Sequence, residues 1–208
     1  DFSHSSVFLK GWFSIQDESS ILASVFLNPS ADETIIDMCC GPGGKTMHMA
    51  QLMKNQGKII AFDKNSKKLE MVREEGKRLG IGIVVTVQDD SSRFRSEYEE
   101  KADKILIDAP CSGTGVIRKK PDLKWKNFSK IQLEQLNRLQ EAIVSVAARY
   151  LKPGGEMLYS TCSLEKEEND DVIRRFLAKN TCFCTQESSS LVRGRGIIRI
   201  DTDISESI

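Results

Sequence analysis

Only two histidines, His4 and His48, stand among the 208 residues, and of the six cysteines only Cys182 and Cys184 form a short C-x-C pair. Neither histidine is spaced to complete a zinc finger, so no metal is expected. The cysteines read instead as free thiols, catalytic groups or packing residues rather than a disulfide framework. No apolar run approaches the roughly 18 residues of a membrane span, and the opening DFSHSSVFLKG lacks the basic, apolar, small-residue order of a secretory leader. A cytoplasmic, membrane-free protein is the expectation. Excess charge of either sign is also missing: 30 Lys and Arg balance 30 Asp and Glu, so any attraction to nucleic acid has to be local. With 39% hydrophobic residues the chain reads as one soluble domain, a monomer by default. It starts at Asp1 and stops in the polar IDTDISESI, which suggests a piece of something longer with flanking modules beyond it.

From Thr34 onward short apolar runs alternate with helical periods, the rhythm of strand, helix, strand units in a parallel sheet. TIIDM, KIIAFD, GIVVTV, DKILID and GEMLYS are the strand candidates; 45–54, 66–79 and 129–151 read as helices. Ser129 is a plausible cap for the third, and Lys152-Pro153-Gly154-Gly155 is expected to end it before a strand starts at Gly155. One more helix is expected over 165–179. TCFCTQ and GIIRI suggest an antiparallel pair at the sheet edge, and the stretch around Ser188–Ser190 and Arg195 a loop. The fold class is α/β, a Rossmann-like mostly parallel sheet with helices on both faces.

IIDMCCGPGGKT puts a glycine-rich turn between the first strand and the first helix of this array, where backbone amides can approach a ligand. A dinucleotide fold would carry G-x-G-x-x-G and a P-loop G-x-x-x-x-G-K-[ST]; neither is present. An acid follows each of the first four strands: Asp37, Asp63, Asp89 with Asp90, and Asp108. In an open parallel sheet those ends line the ligand crevice. Asp63 suits a ribose diol, Asp90 an adenine amino group, and Asp37 or Asp108 a cationic amine, so the expected ligand is a nucleoside carrying positive charge.

LIDAPCSGTG and MLYSTCS each place a cysteine just past a strand end, Cys111 and Cys162, facing the same crevice. Methylating carbon 5 of cytosine needs such a thiolate, because that carbon is a poor nucleophile until a group adds to carbon 6. An acid near ring nitrogen 3 eases the addition, a contact Asp108 suits, and a second cysteine is a candidate for assisting release of the product, a role Cys111 fits. The segment RKKPDLKWKNFSK is the one basic patch. Arg118, Lys119, Lys120, Lys124 and Lys126, with Trp125 among them, are candidates for holding RNA phosphates and a base. The competing expectation packs Trp125 under the following helix, and Arg193, Arg195 and Arg199 read as surface charge.

Taken in order from Gly11 to Asn169, GWFSIQDESSILA, DMCCGPGGKT, AFDKN, DAPCSGTG and YSTCS resemble the motifs of the NOL1/NOP2/Sun family of RNA cytosine-5 methyltransferases, especially its bacterial 16S ribosomal RNA methyltransferase B branch. The resemblance implies a class I S-adenosylmethionine-dependent methyltransferase fold, residues 1–30 leading into a catalytic domain over 31–208 that is truncated at its C-terminus. It implies Cys162 as nucleophile, Cys111 as the aid to product release, and S-adenosylmethionine bound by Cys39, Cys40, Gly41, Pro42, Gly43, Gly44 and Lys45 with Asp63, Asp90 and Asp108. Ribosomal RNA is the implied substrate and transfer RNA the second choice. CCGPGGK stands where the family commonly has Ala-Ala before the Pro, a change of like size. The usual closing Gly-Phe-Phe strand and N-terminal RNA-binding module are missing. A small-molecule methyltransferase would not need two crevice cysteines, and a noncatalytic RNA-binding scaffold would not need Cys162. An amino-group methyltransferase would carry Asp/Asn-Pro-Pro-aromatic where DAPC stands.

Overall fold

The computed structural model describes residues 2–125, 128–185 and 197–202. Its strands are β1 Thr34–Asp37, β2 Lys58–Asp63, β3 Val84–Gln88, β4 Ala102–Asp108, β5 Leu151–Ser160, β6 Phe183–Thr185 and β7 Ile197–Thr202. They form one sheet in the order β3-β2-β1-β4-β5-β7-β6. The first five run parallel, and β7 lies antiparallel between β5 and β6. The helices are α1 Ser6–Leu9, α2 Glu18–Leu27, α3 Gly44–Leu52, α4 Ser66–Leu79, α5 Lys130–Tyr150 and α6 Asp170–Leu177.

Strand residues alternate between two buried faces, which is why the central strands read as unbroken apolar runs. Ile35, Ile59, Leu106 and Leu158 pack with Ala23 and Leu27 of α2 and Met49 and Ala50 of α3. Their neighbours Ile36, Ile60, Ile105 and Met157 pack with Ile143 and Ala147 of α5 and Val172 and Phe176 of α6. Helices thus cover both faces, as the sequence implies, and the antiparallel edge pair is formed. Ser129 does cap α5: its hydroxyl accepts from the Gln132 amide at 3.2 Å while Gln132 Oε1 accepts from the Ser129 amide at 2.9 Å.

Two expectations fail for physical reasons. Leu151 already pairs with Ala102, and Glu156 pairs with Lys104, so Lys152–Gly155 forms a bulge inside β5 rather than a loop before it. Pro153 costs no ladder bond there, and a Cβ on Gly155 would lie 2.9 Å from the Asp103 carbonyl. The helix expected over 165–179 is broken at Asn169 (φ −117°, ψ −101°), with a 3₁₀ turn at Lys166–Glu168 before α6. The Asn169 side chain is engaged with earlier residues instead of continuing a helix.

Strand order reverses between β1 and β4. A crevice opens there beyond the carboxyl ends of the two strands, and Asp37 and Asp108 stand at its floor.

Candidate active site at the carboxyl ends of the strands

The loop after β1 is pinned on both sides before it reaches α3. The Met38 amide donates to the Leu106 carbonyl and the Cys40 amide to the Phe62 carbonyl, both at 2.9 Å. The Gly41 amide donates to Asp63 Oδ2 at 3.1 Å. A Cβ on Gly41 would lie 2.5 Å from that oxygen and 2.6 Å from Lys68 Cβ, so only glycine lets the chain pass this close to the end of β2. Gly43 turns into α3 at φ 111°.

A cleft of about 230 Å³ opens over this loop. Cys39, Cys40, Gly41, Pro42, Gly44, Lys45 and Asp108 line it, as does Asp37. Its far wall was not foreseen residue by residue: Ile15, Gln16, Asp17 and Ser20 come from the N-terminal segment. The only hint of them was the motif GWFSIQDESSILA. Gln16 Nε2 is buried without a hydrogen-bond partner. Gly43, Asp63 and Asp90 are not among the cleft's lining residues. Asp63 reaches it through the Gly41 amide and also accepts from the Asn65 amide at 2.8 Å. Asp90 accepts from Ser92 and pairs with Lys64 at 2.9 Å; burial opposes its ionisation, but these partners outweigh burial and hold its pKa low. Asp89 is engaged by Arg95 at 2.6 Å.

Asp37 is buried, and Thr46 Oγ1 donates to it at 2.7 Å. Burial, helped by the neighbouring Asp108, raises its pKa to about 7 against the opposing pull of Thr46, the Cys39 amide and Lys45. A carboxyl raised on folding stabilises most below its unfolded value of about 4, and that contribution is lost as pH rises to about 7. Asp37→Asn keeps an acceptor for the Cys39 amide and offers its NH₂ to Thr46. It is expected to melt several degrees above wild type at pH 8, with the gap closing at pH 4. Melting curves at the two pH values check this, and a gap independent of pH contradicts it.

Beside the cleft, Asp108 at the end of β4 pairs with Lys45 Nζ at 2.6 Å and accepts from Ser160 Oγ at 3.0 Å. The turns after β4 and β5 bring Cys111 and Cys162 together, with the sulfurs 3.2 Å apart. Cys162 is the more exposed of the two. Donation from Cys111 lowers the Cys162 pKa to about 7, helped by Lys45 and opposed by burial and Asp108. Donating to Cys162 pushes Cys111 up, with burial adding to the effect, and burial raises Cys39 and Cys40 as well. Cys162 is therefore the thiol geometry favours as thiolate near neutral pH.

After Cys111 the chain makes a 3₁₀ turn at Thr114–Val116 and then, within the basic segment, a second at Pro121–Trp125. Arg118, Lys119 and Lys120 are exposed, and Lys119 forms a close ion pair with Asp17 of the cleft wall. Trp125 is 80% exposed, which overturns the expectation that it packs under α5. Lys124 falls within the second turn. Lys126, Ser188–Ser190, Arg193 and Arg195 lie outside the described residues. Among the described residues no helix is long and apolar enough to cross a membrane, and no three His, Cys, Asp or Glu side chains group as a metal site.

The family model described as 16S rRNA methyltransferase RsmB/F matches residues 24–193. The probable ribosomal RNA small subunit methyltransferase B of Bacillus subtilis (strain 168) is 41% identical over 177 residues, 85% of this chain and 39% of that protein. Ribosomal RNA small subunit methyltransferase B of Shewanella oneidensis is 43% identical, covering 83% of this chain and 40% of its own length. The chain thus spans about two fifths of the length of these relatives. Among solved structures, PH0851 superposes with a TM-score of 0.88 at 37% identity, covering 97% of this chain and 49% of that one. NSun6 from Pyrococcus horikoshii with SFG gives 0.84 at 33%, covering 98% and 56%.

Proposed function

The chain belongs to the 16S rRNA methyltransferase RsmB/F family, and from that premise we propose that it is the catalytic part of an S-adenosylmethionine-dependent RNA methyltransferase that forms 5-methylcytosine in ribosomal RNA. The observation that carries this reading is the pair of sulfurs 3.2 Å apart beside the Lys45–Asp108 ion pair, at the edge of a cleft floored by a glycine-rich loop.

The cleft suits the cofactor. Gln16 presents a buried, unpartnered amide nitrogen, Gly41 and Gly44 keep the backbone bare, and Lys45 heads the helix that points at the cleft. Asp63 beyond Gly41 suits the ribose hydroxyls and Asp90 the adenine amino group. When bound, S-adenosylmethionine supplies an electrophilic methyl group on its sulfonium.

This chain's residues supply the rest. The Cys162 thiolate adds to carbon 6 of a cytosine turned out of its stack, forming a carbon–sulfur bond and making carbon 5 nucleophilic. Asp108 meets the nitrogen 3 edge of the ring and, with the Lys45 ammonium against it as the proton source, passes a proton to nitrogen 3 that neutralises the negative charge created by the addition. Carbon 5 takes the methyl group. A base then takes the proton from carbon 5, the electrons of that carbon–hydrogen bond restore the ring double bond, and the carbon–sulfur bond breaks to return the Cys162 thiolate. Cys111 as thiolate, or a water beside it, accepts the proton and so assists the release. Arg118, Lys119, Lys120, Lys124 and Lys126 hold the flanking phosphates, and Trp125 stacks on a base.

The test is RNA carrying tritium on carbon 5 of cytosine, incubated with the protein and S-adenosylmethionine. Tritium is expected to pass into water in step with methyl incorporation. Methyl incorporation with tritium retained would contradict carbon 5 as the target.

A further inference from the structure

Behind the two thiols lies a buried polar cluster that the chemistry above does not use. Glu168 is 0% exposed. Its Oε1 accepts from the Ser112 amide at 2.9 Å and from Gln140 Nε2 at 3.1 Å, and its Oε2 accepts from the Ser112 hydroxyl. Gln140 also donates to the Pro110 carbonyl at 2.9 Å, so the whole Pro110-Cys111-Ser112 turn is held from below.

Asn169 holds the other turn. Thr161 Oγ1 donates to Asn169 Oδ1 at 2.6 Å, and Asn169 Nδ2 donates to the Ser163 carbonyl at 3.1 Å. The Ser112 and Ser163 hydroxyls, 3.1 Å apart, join the two halves. Tyr159 fixes the backbone between them by donating to the Glu168 carbonyl at 2.7 Å. Burying a carboxylate is costly, and for stability alone a packed apolar side chain would serve as well. Here the cost is met by three donors, two of them from the residue that follows Cys111.

We propose that Glu168 and Asn169 are positioning residues that lock the Cys111 turn against the Cys162 turn and so set the distance between the two sulfurs. The inference rests on the reading of these thiols as the reacting pair.

The groups facing Cys162 are Cys111, Asp108 and Lys45, and donation from Cys111 has the largest effect on its ionisation. A residue that places Cys111 must therefore control the pH at which Cys162 becomes a thiolate. A residue that merely supports the fold would lower the melting temperature and leave that pH alone.

The experiment is iodoacetamide alkylation of the full chain as a function of pH, read by mass spectrometry on the Cys162 peptide, without RNA or cofactor. Wild type is expected to show a midpoint of about 7. Cys111→Ala and Glu168→Ala are each expected to raise it by about one unit or more, toward the ordinary thiol range. The double variant should rise no further than either single one, because both remove the same contact. Glu168→Gln keeps an oxygen for the Ser112 and Gln140 donors and should return the midpoint close to wild type. A wild-type midpoint in Glu168→Ala or in Cys111→Ala, or additive shifts in the double variant, overturns the proposal. Should Glu168→Ala fail to fold, Ser112→Ala removes one hydroxyl from the cluster and is expected to raise the midpoint by a smaller amount; no change there overturns the proposal equally. Because no RNA enters the measurement, its failure is separate from a failure to methylate cytosine.

Discussion

Cys162→Ala is expected to lose methyl transfer to RNA by roughly 10⁴-fold or more, while Cys111→Ala still attacks the base and accumulates as protein joined to RNA. The asymmetry follows from the site. The thiol pulled toward ionisation is Cys162, whose sulfur has Lys45 near it and accepts from Cys111, whereas Cys111 is pushed the other way. Removing the nucleophile stops the sequence before its first bond. Removing its neighbour leaves addition and methyl transfer possible and slows the step that breaks the carbon–sulfur bond. Single-turnover and multiple-turnover assays separate the two outcomes: Cys111→Ala is expected to complete about one methyl transfer per protein and then stall, with a denaturation-resistant complex on gels. Full turnover by Cys111→Ala would remove that residue from the release step.

Gly41→Ala carries the second large effect. The added methyl would meet the Asp63 carboxylate and the Lys68 side chain near its backbone end at 2.5–2.6 Å, inside any real carbon contact. Either the loop lifts from the end of β2 or Asp63 gives up the Gly41 amide, and each route deforms the cleft where the cofactor is expected. The dissociation constant for S-adenosylhomocysteine, measured by calorimetry, is expected to rise about tenfold or more, equivalent to at least about 1.4 kcal/mol. Gly82→Ala is the control: its Cβ would meet nothing within 4 Å, and binding should stay as in wild type. Unchanged affinity in Gly41→Ala would mean that the loop does not form the cofactor floor.

Much of the architecture was legible because the same burial that stabilises the sheet writes itself into the sequence. Both faces of β1, β2, β4 and β5 are covered, so KIIAFD and DKILID appear as continuous apolar runs. Ser129 with Gln132 marks the start of α5 by purely local hydrogen bonding. What escaped is what depends on distant partners. Lys152-Pro153-Gly154-Gly155 looks like a helix stop, and only pairing with Ala102 and Lys104 makes it a bulge in β5. Glu168 and Asn169 look like helix surface in a charged run, yet their side chains turn inward to residues 112, 140, 161 and 163.

The candidate site divides in the same way. Strand-end position alone placed Cys111, Cys162, Asp108 and the loop from Cys39 to Lys45 around one crevice. The Lys45–Asp108 pairing and the wall built by Gln16, Asp17 and Ser20 needed the tertiary structure, since Gln16 and Lys45 lie 29 positions apart in the chain and Lys45 and Asp108 lie 63 apart. Trp125 carried two readings, a surface for a base and packing under the following helix, and its 80% exposure discards the second, a choice that needed the tertiary structure.

The central claim is tested most directly by mapping a trapped complex. Wild-type protein, S-adenosylmethionine and RNA containing 5-fluorocytosine are expected to give a stable adduct, because fluorine on carbon 5 cannot leave as the proton does. Digestion and mass spectrometry should then find the modified nucleotide on the peptide that contains Cys162. A nucleotide on the Cys111 peptide would reverse the roles of the two thiols, and no adduct from protein that binds both cofactor and RNA would contradict covalent carbon 5 chemistry altogether.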